Sequence, residues 1–478
     1  MKLQPRLLLI PVGVVGFCYF FLQLDRRPGA FANSQYLGAI LALEIVIACL
    51  LRFEKVFFPV TMICFLAADT ANPFAGESFT LRWLFLAVGA IAGPVIWMKD
   101  NRERHFGTFH LIALFCALAA LASATASAAA GIGLLKAGSL FLLFLYAATG
   151  GRVALVGREE AFVRGLVLAC EVLVFLVCAA YFAGLNVFGN PNNLGAFVGV
   201  IAFPIMLWAA LVAETRAEVQ RRYTALALCA ILLYVSVCRA AIVADVLLTI
   251  GLTIALRRPR LLIRAAFVGA LFVELMAVAN PAHMTDLVNT LSGKFIYKID
   301  RSSRSPGILG SRTSPWEDTI EAVKQHPWFG TGFGTSDLGK EQPSIQGSSI
   351  YTVEGTNREH GSSYLAMAEY MGLLGILPFL VLLMMLVRAV ARVFSWMRRT
   401  GSPAHCAVPF ALVAAAGLIH GVFEDWMFAP GSYLCVFFWV TAFLLIDFVS
   451  PGNVSAAIRV SRSASYAVPA LQRSTTPV

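Results

Sequence analysis

From near its first residue to about residue 450, the chain alternates long apolar runs with short charged loops. The runs fall at 7–24, 35–51, 56–70, 79–98, 108–126, 133–152, 161–183, 194–213, 223–237, 240–256, 261–279, 362–387, 406–423 and 431–449. Most approach the roughly 20 residues that a helix needs to cross a bilayer core; 56–70 and 223–237 fall short. Of 478 residues, 59% are hydrophobic and 13% charged, against about 45–50% and 25% in soluble domains. So much apolar surface cannot be buried in one water-soluble core, which excludes a soluble enzyme. The expected fold is an all-α polytopic membrane protein with about 12–14 transmembrane helices.

Lys and Arg number 37 against 27 Asp and Glu. The excess is spread over loops between apolar runs rather than gathered on one domain, so no nucleic-acid partner is expected. With the N-terminus in the cytoplasm, the inside loops carry Arg52/Lys55, Lys99/Arg102/Arg104, Arg152/Arg158, Arg216/Arg221/Arg222, Arg257/Arg258/Arg260 and Arg388/Arg392/Arg398/Arg399. That bias sets both termini inside. The first run lacks a small-residue cleavage site and is expected to remain as a span. All ten Cys lie in or beside apolar runs and no CxxC pair occurs, so neither a disulfide framework nor a structural zinc site is expected. Five units follow: N-terminal helices at 1–185, helices with outer-face motifs at 186–279, and an outer subdomain at 280–361. C-terminal helices at 362–450 and a Ser/Arg-rich cytoplasmic tail at 451–478, expected to be disordered, complete the chain.

Four polar islands then share the outer face: Gly189–Asn193, Arg239, the stretch 280–361, and His420 with Glu424-Asp425. Within the third, Ser314-Pro315-Trp316-Glu317 reads as a capped helix start, with Trp316, Ile320 and Val323 on one face. His326-Pro327 closes that helix, and Trp328–Gly334 supplies tight turns where backbone could approach a ligand. Arg239 must break a long apolar stretch, 223–256, and is placed at the outer headgroup level. A guanidinium there is either a snorkelling helix end or a bidentate phosphate clamp. Arg312 is either a solvated loop residue or an anion ligand beside a helix N-terminus; Arg304 and Arg358 are weaker members of the same set. His283 and His326 sit beside prolines and read as turn residues. His360 is either a helix cap or an acid–base group at the membrane surface. Glu424, one helical turn after His420, either orients a ligand or pairs with an Arg. Asn190, Asn192 and Asn193 serve equally as sugar ligands or turn formers. Glu44, Lys136, Glu171, Asp245 and Glu274 are expected to face protein interior.

The ordered motifs resemble the O-antigen ligase and polymerase superfamily, bacterial inner-membrane glycosyltransferases that use lipid carriers. The residues that carry the resemblance are Gly189-Asn190-Pro191-Asn192-Asn193-Leu194-Gly195, Cys238-Arg239-Ala240-Ala241, Gly310-Ser311-Arg312 with Trp316, and His326–Gly334. They continue with His360–Leu365, Glu369–Gly375 and Glu424. Cys238 stands where Ser is usual, and Gly361 where Asn is frequent. The resemblance implies a GT-C-like membrane fold. It also implies transfer of a glycan from undecaprenyl diphosphate to an acceptor hydroxyl on the periplasmic side, the acceptor being lipid A–core or another glycan. Catalytic roles are implied for His360, Arg312 and Arg239, and substrate contacts for Asn190, Asn192, Trp316, Arg358, Tyr364 and Glu424. No cofactor or metal ion is implied, and inversion at the anomeric carbon is expected. A polymerase joining lipid-linked repeats is the nearest alternative, and an oligosaccharyltransferase acting on protein a further one. A lipid-linked-glycan transporter would bind near the midplane between repeated helix sets, and a non-catalytic scaffold would tolerate Arg239→Lys.

Overall fold

The computed structural model describes residues 34–71, 75–99, 106–127, 129–185, 187–260, 310–335 and 360–449, with isolated positions between 263 and 278. The regular structure among the described residues is helical. In chain order the helices are α1 (Ser34–Leu51), α2 (Phe58–Ala68), α3 (Ala75–Lys99), α4 (Thr108–Thr125), α5 (Ala130–Leu155), α6 (Glu159–Phe182) and α7 (Pro191–Leu211). There follow α8 (Arg216–Ser236), α9 (Arg239–Leu256), α10 (Gly310–Gln325), α11 (Ser363–Thr400), α12 (Ala407–His420) and α13 (Tyr433–Val449). Among the described residues, 7 helices are long and apolar enough to cross a membrane, and the chain is a multi-pass, all-α membrane protein. Each expected span inside the described residues coincides with a helix. The run 7–24 lies outside them, and 261–279 almost wholly so.

Three boundaries differ from the apolar runs, each for a local reason. Helix α8 starts at Arg216, well before residue 223, because Thr215 and Glu218 close a capping box: Glu218 N donates to Thr215 Oγ1 at 3.2 Å. Its 21 residues span roughly 31 Å, enough to cross the bilayer core. Helix α5 continues through a π-helical turn at Ala147–Gly151 to Leu155. This carries Arg152 out of the expected inside loop and into the core, where it is 1% exposed. Its Nε donates to Asp447 at 2.6 Å and its guanidinium lies 4.1 Å from the Trp97 ring. Helix α11 runs on to Thr400 and stops at Gly401.

Helix α13 lies at the centre, buried on every side except at Ile446, as an apolar-all-round sequence requires. Helix α12 packs along it, and α2, α4, α5, α7 and α11 also touch it. The start of α13 is fixed by a polar knot. Tyr433 N donates to Asp69 Oδ2 at 3.1 Å, and Arg82 Nη1 donates to Asp69 Oδ1 at 3.0 Å and to Gly431 O at 2.7 Å. The ionisable residues expected to face inward divide. Glu171 pairs with Arg221 at 3.0 Å, Lys136 donates to Gly334 O at 2.6 Å, and Asp245 is buried. Glu44 and Glu274 are instead exposed. For Glu44 the reason is that, among the described residues, α1 packs mainly on α3 and the short π-helical turn before α2.

Candidate active site

Arg239 owes its position to a sharp reversal. Helix α8 ends at Ser236, Val237 takes a left-handed conformation (φ 50°), Cys238 is extended and Arg239 opens α9. A β-branched residue at positive φ is disfavoured, so the turn is held by its surroundings. Ser236 Oγ accepts from Cys238 N at 3.3 Å, and Gly195 of α7 lies flat on Cys238, where a Cβ would overlap it. One turn later Gly199 meets Ala241 in the same way, the small-residue contact that brings membrane helices close. The asparagine motif is the start of this packing helix. Asn190 caps it by accepting from Asn192 N at 2.9 Å, and Pro191 occupies the first turn.

Helix α10 begins at Gly310, so the expected capping box at Ser314–Glu317 is not formed and Pro315 lies inside the helix. Arg312 therefore lies on the helix itself, where Glu424 supplies a compensating charge: Arg312 Nη2 donates to Glu424 Oε1. Cys238 and Arg239 both lie within electrostatic reach of Arg312 and Glu424. The inner face of α10 is Thr319 and Ala322, both buried, whereas Ile320, expected on that face, is 44% exposed. Trp316 Nε1 donates to Gly361 O at 3.0 Å, so α10 lies directly over the residues that follow His360.

His360 is 1% exposed and sits between two carboxylates. Asp425 Oδ2 takes its backbone N–H at 3.0 Å and faces Nδ1 at 3.2 Å, and Glu369 Oε2 stands 3.6 Å from Nε2. Burial disfavours a charged imidazole, but the hydrogen bonds and charges of Asp425 and Glu369 outweigh it and hold His360 above the ordinary histidine range. Burial likewise pushes Asp425 up, yet its bonds to His360 prevail and hold its carboxyl below the usual range. A raised histidine stabilises the fold fully below about pH 6.5 and loses that contribution as pH climbs through its folded value. A depressed carboxyl contributes above about pH 3.9 and loses it as pH falls through its folded value. The pair therefore contributes most between about pH 4 and 6.5. The gap in thermal midpoint between wild type and Asp425→Asn is expected to be widest there and to shrink on either side. A gap that does not change with pH would refute the pairing.

A hairpin after α12 presents both acids. Ser363 Oγ donates to Glu424 O at 2.6 Å and accepts from Met427 N at 3.1 Å, and Ser363 N donates to Gly421 O at 2.9 Å. Trp426 Nε1 donates to His420 Nδ1 at 2.8 Å. The Tyr364 hydroxyl donates to Leu418 O at 2.7 Å, tying α11 to α12.

The Trp328–Gly334 turns approach the protein's own backbone. Helix α11 breaks at Gly372 (φ 62°, ψ −175°), and the loop docks into the break. Leu373 N donates to Pro327 O at 2.8 Å and Leu374 N to Trp328 O at 3.2 Å. In return Thr331 N donates to Glu369 O at 2.8 Å and Gly332 N to Tyr370 O at 3.1 Å. The loop thus takes up donors and acceptors that the broken helix cannot pair internally. A Cβ on Gly330 would collide with Glu369 and Tyr370 backbone, and one on Gly372 with that of Trp328. Ser123, Ser127 and Lys136 of the α4–α5 hairpin bind the same splice through Tyr370 O, Thr335 Oγ1 and Gly334 O.

Arg239, Arg312, Trp316, His360 and Glu424 are thus brought together by α9, α10, the start of α11 and the α12–α13 hairpin. Asn190 and Asn192 are exposed and build the cap of α7; Tyr364 spends its hydroxyl on helix packing. Arg358, Arg304 and His283 lie outside the described residues. Sequence reasoning named Asp425 and Glu369 without assigning them a part, yet they enclose His360. The adjacent acids Glu424-Asp425 just beyond a helix end were the available signal.

Residues 224–380 match the family described as O-antigen ligase. Over that segment the match supports a place in the O-antigen ligase and polymerase superfamily. No curated protein matches it. The matched O-antigen ligase segment contains Arg239, Arg312, Trp316, His360 and the splice at Gly372. It leaves Asn190, Asn192, Glu424 and Asp425 outside.

Proposed function

We propose that this protein is an inverting glycosyltransferase of the bacterial inner membrane. It transfers a glycan from an undecaprenyl diphosphate carrier to an acceptor hydroxyl on the periplasmic side, with both termini in the cytoplasm. The observation that carries this reading is the meeting of Arg239, Arg312 and Glu424 at one end of the helix bundle, beside the enclosed His360. The planar fork of each guanidinium matches a pair of diphosphate oxygens, and charge grows on that group as it leaves.

In the proposed reaction the donor diphosphate takes Glu424's place on Arg312. The released carboxylate then accepts the proton of the acceptor hydroxyl. A bond forms from that oxygen to the anomeric carbon, the anomeric carbon–phosphate oxygen bond breaks, and the lipid diphosphate departs with the electron pair. His360, held by Asp425 and Glu369, keeps the hairpin bearing Glu424 in position. Glu424→Gln should therefore retain donor binding while losing turnover, read as kcat falling with donor KM unchanged or lower.

The test is purified protein in vesicles with lipid-linked glycan, with and without lipid A–core. Transfer only when core is present supports the ligase reading, and chain growth without it identifies a polymerase. Arg239→Lys is expected to lose at least tenfold in rate, since an ammonium cannot make the paired hydrogen bonds of the guanidinium fork, a loss of roughly 1.4 kcal/mol. Full activity in that variant would remove the clamp.

A further inference from the structure

A cavity of about 280 Å³ opens between α2 and α6, and it takes no part in the glycan-transfer reading above. Along it α6 presents Ala161, Gly165 and Ala169, the four-residue spacing of small side chains that usually receives another membrane helix. Among the described residues no neighbour occupies that position: nothing lies within 4 Å of where a Cβ on Gly165 would stand. The groove extends from Arg158 to Leu173, about 22 Å of helix at ~1.5 Å per residue. That exceeds the ~15 Å depth of half a bilayer core.

Its two ends differ. At one, Lys55 and Arg158 form the rim with Glu54 between them, and Arg158 Nη1 donates to Glu54 O at 2.7 Å. Neither cation has a carboxylate partner among the described residues. The other end closes on the buried Tyr433. An apolar trough of leaflet depth whose mouth carries two cations to one carboxylate complements one kind of molecule, an amphiphile with an anionic head.

We propose that this groove seats an anionic phospholipid of the leaflet on the Lys55–Arg158 side. One acyl chain lies along Ala161–Ala169 and the phosphate sits between the two cations. The lipid takes the place of a helix, holding α2 against α6, and it remains bound through turnover at the other end of the molecule.

The experiment places the photoreactive residue p-benzoylphenylalanine at Gly165 in the full chain, reconstituted in equal phosphatidylglycerol and phosphatidylcholine. Adducts are weighed on the intact protein after irradiation. Phosphatidylglycerol adducts should exceed phosphatidylcholine adducts roughly tenfold, as two interfacial cations allow. The combined Lys55→Gln and Arg158→Gln change should bring the ratio near one. Equal capture of the two lipids by the unmutated rim would overturn the proposal. So would a crosslink into another segment of this chain, into a second copy, or onto a polyprenyl lipid carried through purification. Native mass spectrometry of lipid retained by the chain with Gly165 intact, with and without the rim changes, reads the same preference should the probe disturb folding. Equal retention of both lipids there overturns it too.

Discussion

Arg312→Ala is expected to reduce glycan transfer by about 10²–10³-fold, the scale seen when a donor aimed at developing negative charge is removed. The substitution also takes the Arg312 guanidinium away from Glu424, whose carboxylate is 21% exposed. Part of the loss should therefore reflect a misplaced hairpin. Arg312→Lys separates the two effects: it restores a charge beside Glu424 but not the fork, so it should recover thermal stability more than turnover. Both variants are to be compared in vesicles at matched folded protein, with melting measured alongside. Turnover near wild type in Arg312→Ala would dispose of the clamp and of the displacement of Glu424 together.

Gly372→Ala is the second large effect, and it is one of stability. At φ 62° and ψ −175° the residue occupies a region open essentially to glycine alone, costing any other residue ~1–3 kcal/mol. The added methyl also runs into the Trp328 backbone, so the four hydrogen bonds of the splice cannot all survive. A loss of about 3 kcal/mol or more is expected, visible as a lower melting midpoint in detergent and faster proteolysis within 326–335. Gly330→Ala attacks the same contact from the loop side, so the double change should cost little more than either single one. Gly138→Ala is the control. Gly138 lies within α5 with nothing among the described residues near its Cβ position, and alanine should be neutral or gain up to ~1 kcal/mol.

The spans were legible because bilayer thickness imposes a length and a composition on every crossing helix. Arg239 was legible for a related reason: a charge inside a long apolar stretch forces a break, and the chain breaks at Val237-Cys238. Local signals failed where distant contacts decide. Ser-Pro-Trp-Glu carries every mark of a helix start, yet upstream residues from Gly310 continue the helix through it. Arg152 reads as a loop cation until Asp447, far along the chain, is found beside it in the core. The partners of His360 and Arg312 come from a hairpin 65 and 112 residues downstream, and no periodicity within either segment encodes those distances. The glycine-rich turns were seen, but what they approach is a helix break that becomes visible only when residues 326–334 and 369–374 lie side by side.

That break has a mechanical consequence. Glu369 and Tyr370 are bonded to the loop, and Leu373 onward belongs to the long lipid-facing rod that ends at Thr400. Bilayers of different thickness ask such a rod to tilt, and a continuous helix would transmit that tilt to His360. The loop bridges the break at Gly372 from both sides, through Glu369 and Tyr370 before it and Leu373 and Leu374 after it, so the loop shares the load of any tilt with the nine residues above the break.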